Sequence, residues 1–229
     1  MNSFSLFFCF SDFIYMKTTK SAFVTKINLL IGGAVLLLAI TVTACKTIPQ
    51  EPEKKEPVVI SRYLTAKGVL TAPQLADFFL YNAQTKTREE LIEFAQLYID
   101  EAAAENINSD FAFAQMCHET GFLQFGGLVQ PEWHNYCGLG AISPEQPGCQ
   151  FETVQSGVRA HIQHIQAYAT TEDVPLNNEL VDPRYSWVHK TKYAQTIAEL
   201  AVSWATDPNY ADKLEGLLQR MEDFATSTQ

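Results

Sequence analysis

One acid in this chain stands where a buried proton donor could be made. Phe111, Ala114, Met116 and Cys117 are apolar at helical spacing, and the pattern stops at Gly121, two residues after Glu119. The last turn of a helix presents unpaired carbonyls and the negative pole of the macrodipole, so a carboxyl group there keeps its proton more easily. Phe122, Phe125 and Trp133 are the apolar neighbours expected to desolvate it. A carboxyl group of that kind can protonate a leaving oxygen, which is what breaking a glycosidic bond requires. A second group must then manage the oxocarbenium-like centre. Glu132, Glu145 and Glu152 lie in or beside the loop-rich stretch that follows.

A sugar-binding groove also needs flat faces and amide-type hydrogen-bonding groups. Gln124, Trp133, His134, Asn135 and Tyr136 supply them after Glu119, and Trp204 and Tyr210 supply them near the C-terminus. Trp187 and Tyr193 read instead as ordinary core. Three other constellations point away from chemistry. His118-Glu119 does not continue to HExxH, because position 122 is Phe, so a zinc peptidase is not supported. His161 and His164 are one helical turn apart with no third ligand at telling spacing, which favours a solvated or half-buried helix face. Cys117 sits within an apolar helix and reads as a buried structural thiol, not a nucleophile. No metal and no cofactor are expected.

The segment HETG, followed by HNYCGLGA, resembles the paired Glu-Ser/Thr-Gly and Asn-Asn-x-x-Gly-x-x motifs of the endo-β-N-acetylglucosaminidase-type peptidoglycan hydrolases, glycoside hydrolase family 73. FETVQSGVRAHIQHIQAYA is similar to the aromatic-led helix of that family, and SWATDPNYADKLEGLLQRM to its closing Tyr-Ala-Thr-Asp-Pro-x-Tyr segment. VDPRYSWV between them is similar to a clostridial-type branch. The matches run in family order over roughly the last 120 residues, about one domain. The resemblance implies a lysozyme-like fold with two lobes around a glycan groove, and Glu119 as the general acid. It places a second carboxylate on a hairpin that corresponds to Glu145, in an insert shorter than that of many relatives. If none is close enough, the 2-acetamido group of the sugar takes the role. Where the family usually has Tyr, this chain has Trp204, which keeps a stacking face and lacks the hydroxyl.

The elements that must hold these groups are helical. Thr71 and Pro73 open a short helix carrying Leu75, Phe78 and Phe79, and Thr87-Arg88-Glu89-Glu90 is a capping box ahead of a long one. Asn106 and Asn108 end it, and Asn108 or Ser109 caps the helix that leads to Glu119. Gly121 to Cys149 has no period and reads as loops with at most a short hairpin. Val154 to Tyr168 is helical with Val158, Ile162, Ile165 and Tyr168 inward, whereas Asn177 to Thr191 reads as irregular. Tyr193 to Ala205 and Tyr210 to Phe224 close the chain, split by Thr206-Asp207-Pro208. The class is therefore all-α with one loop-rich insert.

Ahead of this domain, Lys17, Lys20 and Lys26 precede an apolar run from Leu29 to Val42 that ends in Val42-Thr43-Ala44-Cys45, similar to a bacterial lipobox. Residues 1–44 are expected to be a lipoprotein signal, with Met16 as an alternative start, and Cys45 the lipidated first residue of the mature chain. Residues 45–62 form a tether whose KTIPQEPEKKEP segment is extended and proline-rich, and residues 63–229 form the glucosaminidase domain. With Cys45 lipidated, Cys137 and Cys149 could close a small disulfide loop and leave Cys117 free. The 229-residue chain has 16 Lys+Arg against 26 Asp+Glu, a formal charge of −10 that argues against nucleic acid as a partner.

Two classes of function follow. The first is a monomeric hydrolase, anchored to a membrane of the bacterial envelope, that cuts the N-acetylglucosaminyl-β-1,4-N-acetylmuramic acid bond, with a lytic transglycosylase as its close enzymatic rival. The second is a non-catalytic peptidoglycan-binding lipoprotein that kept the groove and lost the chemistry.

Overall fold

The computed structural model describes residues 55–171 and 173–229. The expected signal, Cys45 and residues 46–54 of the tether lie outside them. Among the described residues there are seven α-helices, one 3-10 turn and no strand, so the chain is all-α and of the lysozyme-like kind. No helix among them is long and apolar enough to cross a membrane.

Capping residues set the helix starts. In α1 (Ala72–Asn82) the Gln74 side chain accepts from Thr71 N at 3.0 Å, and in α2 (Arg88–Glu105) Glu90 accepts from Thr87 N at 2.8 Å. Asn106, in the left-handed region at φ 56°, stops α2. The cap of the next helix is Asn108. Its Oδ1 accepts from the N–H groups of Asp110 and Phe111, while its Nδ2 donates to the carbonyls of Ser61 and Tyr63. One side chain thus starts α3 (Ser109–Thr120) and pins the incoming chain to it. Chain packing begins ahead of Tyr63, because Ile60 is buried and its N–H donates to Glu222 at 2.7 Å.

Helix α3 is the axis of the molecule. Every residue from Ser109 to Cys117 is buried, and α1, α2, α4 (Val154–Ala169) and α7 (Tyr210–Ser227) all touch it. A helix covered on every side cannot be amphipathic, which is why its apolar residues crowd around the whole circumference. Phe111 and Phe113 fill the centre with Phe79, Phe94 and Tyr98. As expected, Cys117 is fully buried, and burial pushes its thiol well above the ordinary range.

Residues 177–184 are irregular, but Tyr185–Thr191 forms a further helix, α5, within the stretch expected to be irregular. Side-chain hydrogen bonds hold this region. Glu105 accepts from the N–H groups of Asn177 and Asn178, Gln163 from those of Val181 and Asp182, and Gln166 from the Tyr185 hydroxyl. Such polar stapling leaves no apolar period to read. Beyond it come α6 (Ile197–Trp204) and α7, joined at the expected Asp-Pro stop.

The insert after α3 is closed from within. Asn135 Nδ2 donates to the carbonyls of Leu139 and Cys149 at 2.9 and 3.0 Å, and Asn135 Oδ1 accepts from Leu139 N at 2.8 Å. Cys137 and Cys149 share a small satellite core there with Leu139 and Ala160, yet both are free thiols, so the expected disulfide is not formed. The Asn135 bonds already close the loop that the cross-link would have closed.

The insert docks on α4 at Gly157, where an added Cβ would lie 1.9 Å from the His134 carbonyl oxygen. Gly157→Ala is therefore expected to cost about 3 kcal/mol in urea unfolding, because backbone and not a flexible side chain must move. An unchanged midpoint would show that the contact is slack.

Candidate active site

Glu119 lies in the last turn of α3. That helix ends in a 6→1 hydrogen bond from Phe122 N to the Cys117 carbonyl, with Gly121 at φ 56°. Its side chain is half-buried and turned toward the C-terminal helices. The Trp204 indole N–H donates to Glu119 Oε1 at 3.0 Å, and the Tyr210 hydroxyl donates to the same oxygen. Burial raises the carboxyl pKa, while the Tyr210 and Trp204 hydrogen bonds and the charge of His118 pull the other way without reversing it.

Two donors on Oε1 fix where the proton can be. Among the described residues no partner engages Oε2, so the protonated acid carries its hydrogen there. A proton held on the unengaged oxygen of a desolvated carboxyl group is what a general acid must offer.

Behind Tyr210 runs a line of buried polar groups. Gln115 Nε2 donates to the Tyr210 hydroxyl at 2.8 Å, and Gln115 Oε1 is 3.1 Å from His161 Nε2. With its nitrogen spent, Gln115 can only accept from His161, so His161 carries its hydrogen on Nε2 and accepts at Nδ1 from Tyr98, 3.0 Å away. Burial pulls the His161 pKa down to about 3, so the ring is neutral. All four hydrogen bonds therefore point one way, from Tyr98 through His161, Gln115 and Tyr210 to Glu119. His161 and His164 are both buried, not on a solvated face, and His164 Nδ1 sits 2.8 Å from Asp182.

The structure divides the residues singled out in the sequence. Trp204 and Tyr210 join Glu119, but Tyr210 is 3% exposed and serves the acid through its hydroxyl instead of offering a stacking face. Trp204 supplies by its indole N–H the polar contact that a missing Tyr hydroxyl would have left open. The groups enclosing Glu119 thus come from α6 and α7. Of the expected neighbours, Phe122 packs on Phe78 and Phe79, Phe125 lines a cavity against α2, and Trp133 is half-buried with its carbonyl bonded to Phe151 N.

His134, Tyr136 and Phe125 line a cavity of about 530 Å³ against α2, with Phe94 and Leu97. Asn135 is 1% exposed and fully engaged inside the insert, and Gln124 is exposed. Glu132 and Glu152 are exposed as well. Glu145 stands exposed on a tight Ser143–Gln146 turn, and the Ser143 hydroxyl, donating at 2.8 Å, holds its pKa below the ordinary value. Trp187 and Tyr193, expected in the core, are exposed at 53% and 56%.

Sequence reasoning missed Gln115 and Tyr98 as supports. One signal was present: Gln115 is a carboxamide inside the apolar run FAFAQMC, and a buried amide must find partners.

Residues 95–223 match the glucosaminidase family described as mannosyl-glycoprotein endo-beta-N-acetylglucosaminidase. The chain belongs to this family. The match spans the helices and loops that build the site, from within α2 to α7. This glucosaminidase domain is also similar to an uncharacterized protein of Borreliella burgdorferi, 36% identical over 177 residues that cover 76% of this chain and 81% of the relative. No solved structure matches. A peptidoglycan-type glycosidase domain is thus what the chain carries.

Proposed function

We propose that the protein is a peptidoglycan hydrolase that cleaves the N-acetylglucosaminyl-β-1,4-N-acetylmuramic acid bond, with Glu119 as general acid. The observation that carries this reading is the double donation to Glu119 Oε1 in a carboxyl group whose pKa burial raises, which leaves Oε2 as the oxygen to present a proton to the glycosidic oxygen. As the C–O bond breaks, that proton passes to the leaving sugar, and the acid becomes a carboxylate already solvated by Tyr210 and Trp204. Their hydrogen bonds strengthen as charge develops on Glu119, the property that lowers a barrier instead of merely binding substrate.

The positive centre left on the other sugar needs a partner. A second carboxylate about 5 Å away, as in two-carboxylate retaining sites, would raise the Glu119 pKa by like-charge repulsion. Burial raises it, and among the described residues the charged group that acts on it is His118, which lowers it. The 2-acetamido group of the substrate, closing on the anomeric carbon, is therefore the first reading for this role. Glu145 on its exposed turn is the second, acting as base toward water across a wider gap.

The membrane-facing part of the proposal rests on the Cys45 lipobox, which would hold the enzyme at the bacterial envelope with the domain facing the wall. Digestion of purified sacculi followed by mass spectrometry tests the reaction. Soluble fragments with reducing N-acetylglucosamine ends are expected. Anhydro-muramic ends would assign a lytic transglycosylase, which also works with a single acid, and saturable binding without release would leave a wall-binding module.

A further inference from the structure

A second cavity, of about 230 Å³, is lined by Trp204 together with His164 and Tyr168 of α4. The loop Cys137–Ala141 lines it as well, with Trp187 of α5 and the two residues that flank that helix, Arg184 and Lys192. Trp187 is more than half exposed, with the Arg184 guanidinium 5.5 Å and the Lys192 ammonium 5.6 Å from its ring centroid. An exposed indole gripped by two cations is an ordered feature without a core to explain it.

Neither cation has an acidic partner. Among the described residues the six ion pairs involve other side chains, and Asp182, two residues before Arg184, is buried with its Oδ2 on His164 Nδ1 and its Oδ1 accepting from Arg184 N. Two positive groups without an acidic partner, lining one small polar cavity, stand out in a chain of formal charge −10. The cavity is also tied to the reacting centre, because the indole that walls it donates its N–H to Glu119.

We propose that this cavity is a carboxylate-binding subsite that takes the anionic peptide-bearing side chain of the muramoyl residue beside the bond being cut. The inference rests on the peptidoglycan reading above. Because Trp204 both lines the cavity and donates to Glu119, a substituent on the sugar ring beside the bond being cut is the part of the substrate that would reach it. Arg184 offers a planar fork for a carboxylate, and Lys192 a mobile point charge. Trp187, held between them, gives the apolar part of the peptide a flat face. Neutral chitin-type glycans have nothing to place there, so the cavity would select peptide-substituted strands.

Binding to full-length Glu119→Gln protein, which does not consume the ligand, separates this idea from the one beneath it. Two soluble ligands are titrated by calorimetry at low and high salt: N-acetylglucosaminyl-N-acetylmuramoyl tetrapeptide and the uncharged N-acetylglucosamine tetrasaccharide. Adding Arg184→Gln and Lys192→Gln is expected to weaken the tetrapeptide ligand roughly tenfold and leave the tetrasaccharide unchanged. Amidating the peptide carboxylates should weaken binding to the parent by a similar factor, and high salt should shrink the difference. Retained tetrasaccharide binding shows that the variant is folded. Equal affinity of parent and variant for the tetrapeptide ligand would overturn the subsite alone, whereas failure of both ligands to bind the parent would overturn the glycan reading and the subsite with it.

Discussion

Glu119→Gln is expected to lower the rate of sacculus digestion by about 10³-fold or more, the contribution of a positioned general acid, while binding to sacculi survives. The substitution removes the transferable proton and little else. A Gln side chain has the same shape, and its carbonyl oxygen can still accept from Trp204 and Tyr210 at the place of Oε1. Its amide nitrogen then occupies the position of Oε2, where no described group competes. The variant should melt no lower than the parent, because a carboxyl group whose pKa is raised by burial opposes folding at neutral pH and the neutral amide does not. Release of soluble fragments at the parent rate, measured by dye-labelled sacculi, would remove Glu119 from the mechanism. Loss of activity together with a collapsed melting midpoint would mean that the geometry, not the proton, had been destroyed.

The helices that build this site were readable because their starts are chemical. Thr87 and Asn108 each carry an oxygen that satisfies an otherwise orphaned N–H, Gln74 does the same for Thr71 N, and such residues mark an end whatever surrounds it. The acid was readable for a related reason: Gly121 announces a helix terminus, and Glu119 stands just inside it. What encloses the acid was not. Tyr210 and Trp204 lie about 90 residues downstream, and no local rule distinguishes an aromatic ring that packs from one that donates to a carboxylate.

The same limit applies to α5 and its surroundings. Helix periodicity detects apolar stripes, but Gln163, Gln166, Glu105 and Asp182 fasten residues 177–185 through hydrogen bonds that leave no stripe. Trp187 then looked like core because an indole usually is, whereas its place between two cations depends on that polar scaffold. His161 failed in the opposite direction. Its spacing to His164 suggested a shared face, yet the ring is buried and committed at both nitrogens to Tyr98 and Gln115.

Tyr210→Phe tests whether that buried line serves the acid. The Tyr210 hydroxyl donates to Glu119 and so favours the carboxylate, lowering the pKa that burial raises. Deleting it removes a lowering contribution, so the Glu119 pKa must rise further. The alkaline limb of kcat/KM, which reports loss of the catalytic proton, should therefore move to higher pH. The plateau should fall roughly 10- to 100-fold, because the carboxylate formed during bond cleavage loses a donor and the side chain loses its orientation. Gln115 would also be left with an unmatched Nε2 hydrogen, at a cost to folding of about 1–3 kcal/mol. His161→Phe carries the argument one bond further back. Without His161 donating to Gln115 the Tyr210 hydroxyl is less polarised, so the alkaline limb should shift in the same direction by a smaller amount. A merely structural role for these residues predicts lower stability and an unmoved limb, and a shift to lower pH in either variant would show that the donors do not act on Glu119 as drawn.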